Sequence, residues 1–331
     1  MRAHVRTVAG LALAAVFLWL AFGRVDWSSI GTVLTEATPA PLVLGLLALG
    51  AGFFVRIVRW WTMLRALEPA LSLRSCVRPF LLSLAVNNTM PLRAGDVVRA
   101  VGFRDALQSP VVRVVGTLLI ERVLDLFVIV ALFFVGLLAV PPGVVPRAFV
   151  ATAGLLGGVA FAAVLMLSPS VLRAAADRVV SSRVFERRAW TSRLRESAHR
   201  LADTFALVRS PRRTAQLLSL SVLAWLLEGT MDACVAWALH VGGSSVAPWF
   251  AAATGTLATL IPSSPGYIGT FDYFAILGIT AFGAHRAAAT AFAVVVHAML
   301  WLPVTIVGAA FLVAPGTSRL LRRPARQPAN A

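Results

Sequence analysis

The stretch IPSSPGYIGTFD, residues 261–272, separates two strongly apolar runs. It places two prolines, two glycines, two serines and a carboxylate where a membrane helix ought to continue. Pro262 and Pro265 lack the N–H that a helix interior requires, so they end one helical segment. Gly266 and Gly269 let the backbone turn tightly, and Thr270 is positioned to cap the next segment with Asp272 in its first turn. Inside a bilayer such an interruption is tolerated only where protein or a water-filled cavity surrounds it. The choice lies between a loop joining two spans and a membrane segment that is broken on purpose.

Composition favours a membrane setting. Of 331 residues, 59% are hydrophobic and 13% are charged, against roughly 25% charged in soluble domains. Mean hydropathy is +0.83. Apolar runs of about 20 residues recur along the chain, the length that crosses a hydrocarbon core about 30 Å thick. All thirty basic residues are arginine, and the formal net charge is +16. A nucleic-acid binder would carry that charge on a water-facing fold, so nucleic acid is excluded as a partner. The arginines read instead as residues kept on the cytoplasmic side beside anionic headgroups.

The expected fold class is an all-α polytopic integral membrane protein with about six full transmembrane helices and two re-entrant helical hairpins of opposite orientation. Residues 5–23 form the first span, although Arg2, Arg6 and the Ala21-Phe-Gly23 sequence also fit a cleaved signal peptide. Residues 26–37 read as an amphipathic helix at the outer interface, capped by Asp26 or Ser28. Span two, residues 39–64, ends in arginines and tryptophans suited to the inner headgroup belt. Residues 75–90 would be roughly 24 Å long as a helix, short for a crossing. They lead through PLRAGD, residues 91–96, into a second short helix at 97–106.

Spans three (111–140) and four (147–167) follow, joined by a proline-rich outer turn. Residues 168–214 carry eleven arginines between Arg173 and Arg213 and read as amphipathic helices on the cytoplasmic surface. After span five (215–241), residues 247–260 are again short for a crossing and lead into the opening stretch, and a helix at 270–282 returns the chain outward. Span six, residues 286–313, is expected to break or bend near Pro303. Residues 1–315 thus make one transmembrane domain and residues 316–331 a basic disordered tail.

With both termini in the cytoplasm, only Arg24, Arg147 and Arg286 fall in outer segments, which fixes the orientation of a multi-pass protein of the cell membrane. The two interruptions then enter from opposite sides. They share an echo, Pro91-x-x-x-Gly95-Asp96 and Pro265-x-x-x-Gly269-x-x-Asp272, short enough to arise by chance. Paired interruptions in two halves are the best sequence-level pointer to a transport site near the midplane.

Half-helices that begin inside a membrane aim unsatisfied N–H groups into the cavity, which favours an anion. Asn87, Asn88, Arg93 and Arg99 surround the first interruption, with Arg56, Arg59 and Arg122 on flanking spans. Such groups suit a phosphate headgroup, while the plainer reading makes the arginines anchors and counter-ions to Asp96, Glu121 and Asp125. Glu121 and Asp125 share a helix face, and Glu228 and Asp232 repeat that spacing. With Asp272 and His297, Glu228 and Asp232 form a candidate proton relay, set against structural pairing or helix capping. Cys76 and Cys234 lie far apart and the five histidines do not cluster, so neither disulfide nor metal site is expected. Gly266-x-x-Gly269 lacks the strand of a nucleotide loop, Ser263 and Ser264 have no histidine at a telling spacing, and no cofactor is expected.

Taken in order, four motifs resemble the lysylphosphatidylglycerol synthase transmembrane-region family of flippase-like proteins. They are Arg56-x-x-Arg59-Trp60, Asn87-Asn-x-x-Pro91-x-Arg93-x-Gly95-Asp96-x-x-Arg99, Glu121-Arg122-x-x-Asp125 and the opening stretch from Pro262 through Pro265, Gly266 and Gly269 to Asp272. The resemblance implies the membrane half of the bacterial multiple peptide resistance factor, which moves aminoacylated phosphatidylglycerol between leaflets. As a departure from that protein, the cytosolic aminoacyltransferase domain is expected to be absent. Relatives often have glutamate where this sequence has Asp272.

The expected function is translocation of a lipid with an anionic or phosphate headgroup: an anionic phospholipid, an aminoacyl-phospholipid or a polyprenyl phosphate. The alternatives are an integral-membrane transferase acting on a lipid-linked sugar or phosphate, and a non-transporting scaffold that uses the arginine-rich insert. An oligomer is compatible with each.

Overall fold

The computed structural model describes residues 15–21, 23, 27–90, 93–145, 147–148, 150–152, 154–155, 157–158, 191–261 and 263–313. Every regular element in them is helical. After a helical stretch at 15–21 come α1 (Trp27–Thr35), α2 (Pro39–Arg65), α3 (Leu73–Thr89) and α4 (Ala94–Val97). A π-turn (Val98–Gly102) leads to α5 (Arg104–Leu107), α6 (Val111–Leu137), α7 (Thr191–Phe205) and α8 (Pro211–Ala238). The chain continues with α9 (Ala247–Ala258), α10 (Thr270–Thr280) and α11 (Arg286–Val313). Three helices, Pro39–Arg65, Pro211–Ala238 and Arg286–Phe311, are long and apolar enough to cross a membrane. Helix α6 has 27 residues, but Arg113, Glu121, Arg122 and Asp125 interrupt its apolar character.

Prolines in the first turns of α2, α8 and α9 start these helices where a missing N–H costs nothing. Ser72 caps α3 by accepting from the Ser75 N–H. Antiparallel pairing then organises the bundle. Helix α2 runs along α8 with Thr38 donating to the Ala238 carbonyl at one end and Arg59 bonded to Ser221 toward the other. Between them Gly45 faces Cys234 and Gly52 faces Ala224, small residues that let the two backbones approach closely. Helix α3 lies antiparallel to α11, with Asn88 on Thr305 and Arg78 on the Phe311 carbonyl. Helices α9 and α10 form a tight hairpin in which the Thr254 hydroxyl donates to the Phe274 carbonyl. On its far side α9 stacks Phe250 on Phe133 of α6.

Several expectations are corrected. The helix expected at 97–106 is instead α4, a π-turn and α5, and the widened turn carries the buried Arg99 inward. Helix α11 continues through Pro303, so the chain is not broken there; Asn88 and Thr305 take up the nearby Trp301 carbonyl, so partners from the neighbouring helix and the same helix brace that turn. Ser28 lies inside α1 and so does not cap it. The start of the expected first span, Asp26, the end of span four, the insert as far as residue 190, Pro91, Pro262 and the tail at 316–331 lie outside the described residues.

Candidate functional site

A chain of buried ion pairs crosses the bundle. Arg59 from α2 is fully buried and grips Asp125 of α6 with two bonds of 2.5 and 3.0 Å, and donates to Ser221 of α8 at 2.6 Å. The Trp225 indole N–H adds a bond to the same carboxylate, so Asp125 has several donors. Glu121, one helical turn earlier, stands 3.8 Å from Arg59 and 3.3 Å from Arg99. Arg99 is sealed between the Trp60 and Phe80 rings, 4.6 and 4.4 Å from their centroids, and also donates to Ser83. Arg56 completes the chain with a 2.6 Å bridge to Glu228 while lying over Trp225. The charges are balanced locally, as buried charges in a membrane protein must be. Arg59 and Arg99 thus each meet an expected carboxylate, and Arg56 meets Glu228 rather than Asp96, Glu121 or Asp125.

The first interruption is built onto that chain. Asn87, near the end of α3, accepts from the Gly95 N–H at 2.8 Å and donates to Asp96 at 3.1 Å. Asp96 in turn takes Arg122 of α6 at 3.4 Å. Gly95 sits so close to the Ser83 carbonyl and the Asn87 side chain that no Cβ fits there. Arg93, immediately before α4, has a left-handed backbone with φ of 54°, uncommon for a residue with a side chain.

The second interruption uses a different device. Gly266 and Gly269 have φ of 69° and 86°, conformations that glycine adopts freely. The N-cap position of α10 belongs to Gly269, whose N–H donates to Asp272 at 2.7 Å. This corrects the expected cap, since Thr270 is already helical and its buried hydroxyl has no partner. The other oxygen of Asp272 meets His297 Nδ1 of α11 at 2.7 Å, and His297 Nε2 lies 3.0 Å from the Gly266 carbonyl.

The two interruptions touch. Arg93 Nε donates to the Tyr267 hydroxyl at 2.9 Å, and Tyr267, like Arg93, has a left-handed backbone, with φ of 60°. Trp301 of α11 sits between them, donating to the Asn88 carbonyl while its ring lies against Gly266. Arg93 forms no ion pair with any described carboxylate, which sets it apart from Arg56, Arg59, Arg99 and Arg122. Two strained residues joined side chain to side chain need surroundings that over-determine them, a condition typical of functional sites.

Arg93, Asn87, Asn88, Asp96, Gly266, Asp272 and His297 are therefore brought together around one place, with Arg122 joined through Asp96. The candidate relay is only half assembled. Asp272 and His297 meet, whereas Glu228 is held by Arg56 and buried Asp232 leaves one carboxylate oxygen unpartnered; no bond among the described residues links either to the Asp272 and His297 pair. Tyr267, Trp301, Thr305, Ser83, Ser221 and Trp225 also take part and were not expected from the sequence. For Tyr267 a signal existed, since the chain has only two tyrosines and one lies inside the interruption.

Comparison with known proteins adds two findings. A protein named glycosyltransferase AglD from Haloferax volcanii is 29% identical over 334 aligned residues, covering 92% of this chain and 53% of that protein. This chain therefore spans about half the length of that curated relative. The sequence profile of the lysylphosphatidylglycerol synthase TM region matches residues 7–308, nearly the whole chain. The chain belongs to the lysylphosphatidylglycerol synthase transmembrane-region family.

Proposed function

We propose that this protein translocates a lipid with an anionic, phosphate-containing headgroup between membrane leaflets, and that the headgroup binds where the two interruptions meet. In this reading about six helices span the cell membrane with both termini in the cytoplasm. The segments α3 to α5 and α9 to α10 are re-entrant hairpins entering from opposite faces. The observation that carries the reading is the Arg93 to Tyr267 contact: an arginine whose terminal amines have no hydrogen-bond partner among the described residues, at the junction of two broken helices. A guanidinium of that kind suits a phosphate, and the N–H groups of Gly95 and Gly269 are held in the same region by side-chain acceptors that orient the turns. Arg122 and Asn88 line the approach, while Arg56, Arg59, Glu121 and Asp125 keep the surrounding helices in register.

The test is leaflet exchange of fluorescent phospholipids, aminoacyl-phospholipids and polyprenyl phosphates in liposomes holding the purified protein. Arg93→Ala is expected to slow exchange roughly tenfold or more, the loss of a charged hydrogen-bonding partner, while stability falls by no more than about 1 kcal/mol. Exchange no faster than in empty liposomes across the lipid panel would sink the proposal.

The name of the Haloferax relative favours a second reading, a transferase acting on a lipid-linked sugar. Glu121 and Asp125 are engaged by arginines, so Asp272 with His297 would be its acid and base. Turnover of a nucleotide-sugar by the same preparation, lost in His297→Gln, would support it over translocation.

A further inference from the structure

The contacts of His297 define its protonation in this conformation. A backbone carbonyl can only accept, so Nε2, 3.0 Å from the Gly266 oxygen, must carry a hydrogen. Nδ1 lies 2.7 Å from Asp272 Oδ1, a contact that also requires one hydrogen between the two atoms. Either the ring is an imidazolium donating to a carboxylate, or Asp272 is protonated and donates to a neutral ring. Both arrangements hold one proton more than a neutral imidazole beside an ionised carboxylate. Asp272 Oδ2 also accepts from the Gly269 N–H at the start of α10, which favours the ionised carboxylate and hence the imidazolium.

We propose that the Asp272 and His297 pair is a proton-binding site whose occupancy latches the second interruption closed and couples lipid movement to a proton. When the proton leaves to water, the pair becomes a carboxylate with a neutral ring. The Nδ1–H stays on the carboxylate, Nε2 becomes a bare acceptor facing the Gly266 carbonyl, and that contact turns repulsive. The freed turn carries Tyr267, with φ of 60°, so backbone strain at that residue favours its movement once the contact is lost. Movement of Tyr267 withdraws its hydroxyl from Arg93 and exposes that guanidinium to a headgroup phosphate. By reciprocity, binding a phosphate lipid at Arg93 promotes proton release from His297.

Other charged groups on the packed elements are engaged elsewhere or lack a bond to the pair. Arg78 of α3 ends on the Phe311 carbonyl, Glu228 of α8 holds Arg56, and Asp232 of α8 makes no bond to the ring. Asp272 is the titratable side chain in contact with His297, whose side chain is 14% accessible and so open to proton exchange. Imidazoles change charge within the physiological range, which suits a coupling role.

The inference rests on the proposed lipid site, so two readouts separate them. Hydrogen exchange of the backbone over residues 259–269, corrected for the intrinsic pH effect, needs no lipid. On going from acidic to alkaline buffer, this segment in the wild-type protein should lose protection by on the order of tenfold, the worth of a charge-assisted hydrogen bond. In Asp272→Asn the amide can accept from Gly269 and donate to a neutral ring, so both contacts survive without an extra proton and protection should stay flat and high. His297→Gln has no titrating ring and should be flat as well, which keeps the test open if Asp272→Asn fails to fold. Wild-type protection as flat as in the variants overturns the latch whatever the lipid assay gives. Lipid exchange should rise with pH in wild type and lose that dependence in both variants. Exchange that is present but independent of pH overturns the coupling alone, whereas absent exchange with a titrating latch overturns the lipid proposal alone.

Discussion

The two interruptions begin from similar punctuation, a proline, a glycine four residues on and an aspartate shortly after, yet they are held in opposite ways. The first is set into the ionic chain of the bundle. Its Gly95 presses on α3, its Asp96 holds Asn87 and Arg122, and its Arg99 is buried among Glu121, Ser83 and two aromatic rings. The second is held by local bonds, from Gly269 to Asp272 and from Ser264 to the Ile268 carbonyl, by the His297 imidazole of α11 and by Arg93 on Tyr267, with no carboxylate–arginine pair among the described residues. In the proposed mechanism the first interruption is the fixed wall and the second the movable one, with Arg93 on the first bonded to Tyr267 on the second. Alternation between two states needs this kind of asymmetry, because a displacement is useful only against something that does not move.

The strongest challenge to this division is Arg99→Ala. It leaves Glu121 buried with Arg59 at 3.8 Å and Arg122 at 4.0 Å as its nearest cations, and opens a void between Trp60 and Phe80. Removing one partner from a buried ionic cluster costs about 3–5 kcal/mol, and thermal unfolding in detergent should register a loss of that size. Loss of less than about 1 kcal/mol would mean that the first interruption is not anchored as described.

Glycine substitution compares the two sides directly. A Cβ at Gly95 would overlap the backbone carbonyl of Ser83, which cannot swing aside, so Gly95→Ala should destabilise by about 3 kcal/mol. At Gly266 a Cβ would meet the Trp301 indole at 2.9 Å, a side chain able to shift, and the left-handed backbone adds about 1–2 kcal/mol. Gly266→Ala should therefore be the milder change in thermal stability. Equal or reversed costs would contradict the wall and gate assignment.

Much of the skeleton was legible because proline and glycine act locally. The short α3 and α9 and the turns that follow them can each be read from residues close in sequence, whereas the cap of α10, expected of Thr270, falls to Gly269 and Asp272. Partner choice among the charges was not legible. Arg59 and Asp125 are 66 residues apart, and Arg56 and Glu228 are 172 apart, so packing of whole helices decides which carboxylate each arginine reaches. The same reason explains why Glu228, read with Asp232 as a relay member, is bonded to Arg56, and why no bond among the described residues links either to the Asp272 and His297 pair. The π-turn at Val98–Gly102 escaped notice because one extra residue in a turn leaves no mark on apolar periodicity.

The finest probe is Tyr267→Phe, which removes one hydroxyl and leaves the rest of the junction in place. The ring can keep its position 6.0 Å from the Arg93 guanidinium, and the left-handed φ of 60° is unchanged, so neither packing nor backbone strain differs. What disappears is the hydrogen bond from Arg93 Nε, the direct side-chain bond between the two interruptions. A partly buried bond of this kind contributes about 1 kcal/mol, so the second interruption should open more often by roughly fivefold. Hydrogen exchange of residues 259–269 should quicken by that factor while residues 94–107 keep their protection, because the ionic chain still holds them. A matching loss on both sides would mean that the interruptions open as one body. The asymmetry between wall and gate would then have to be abandoned.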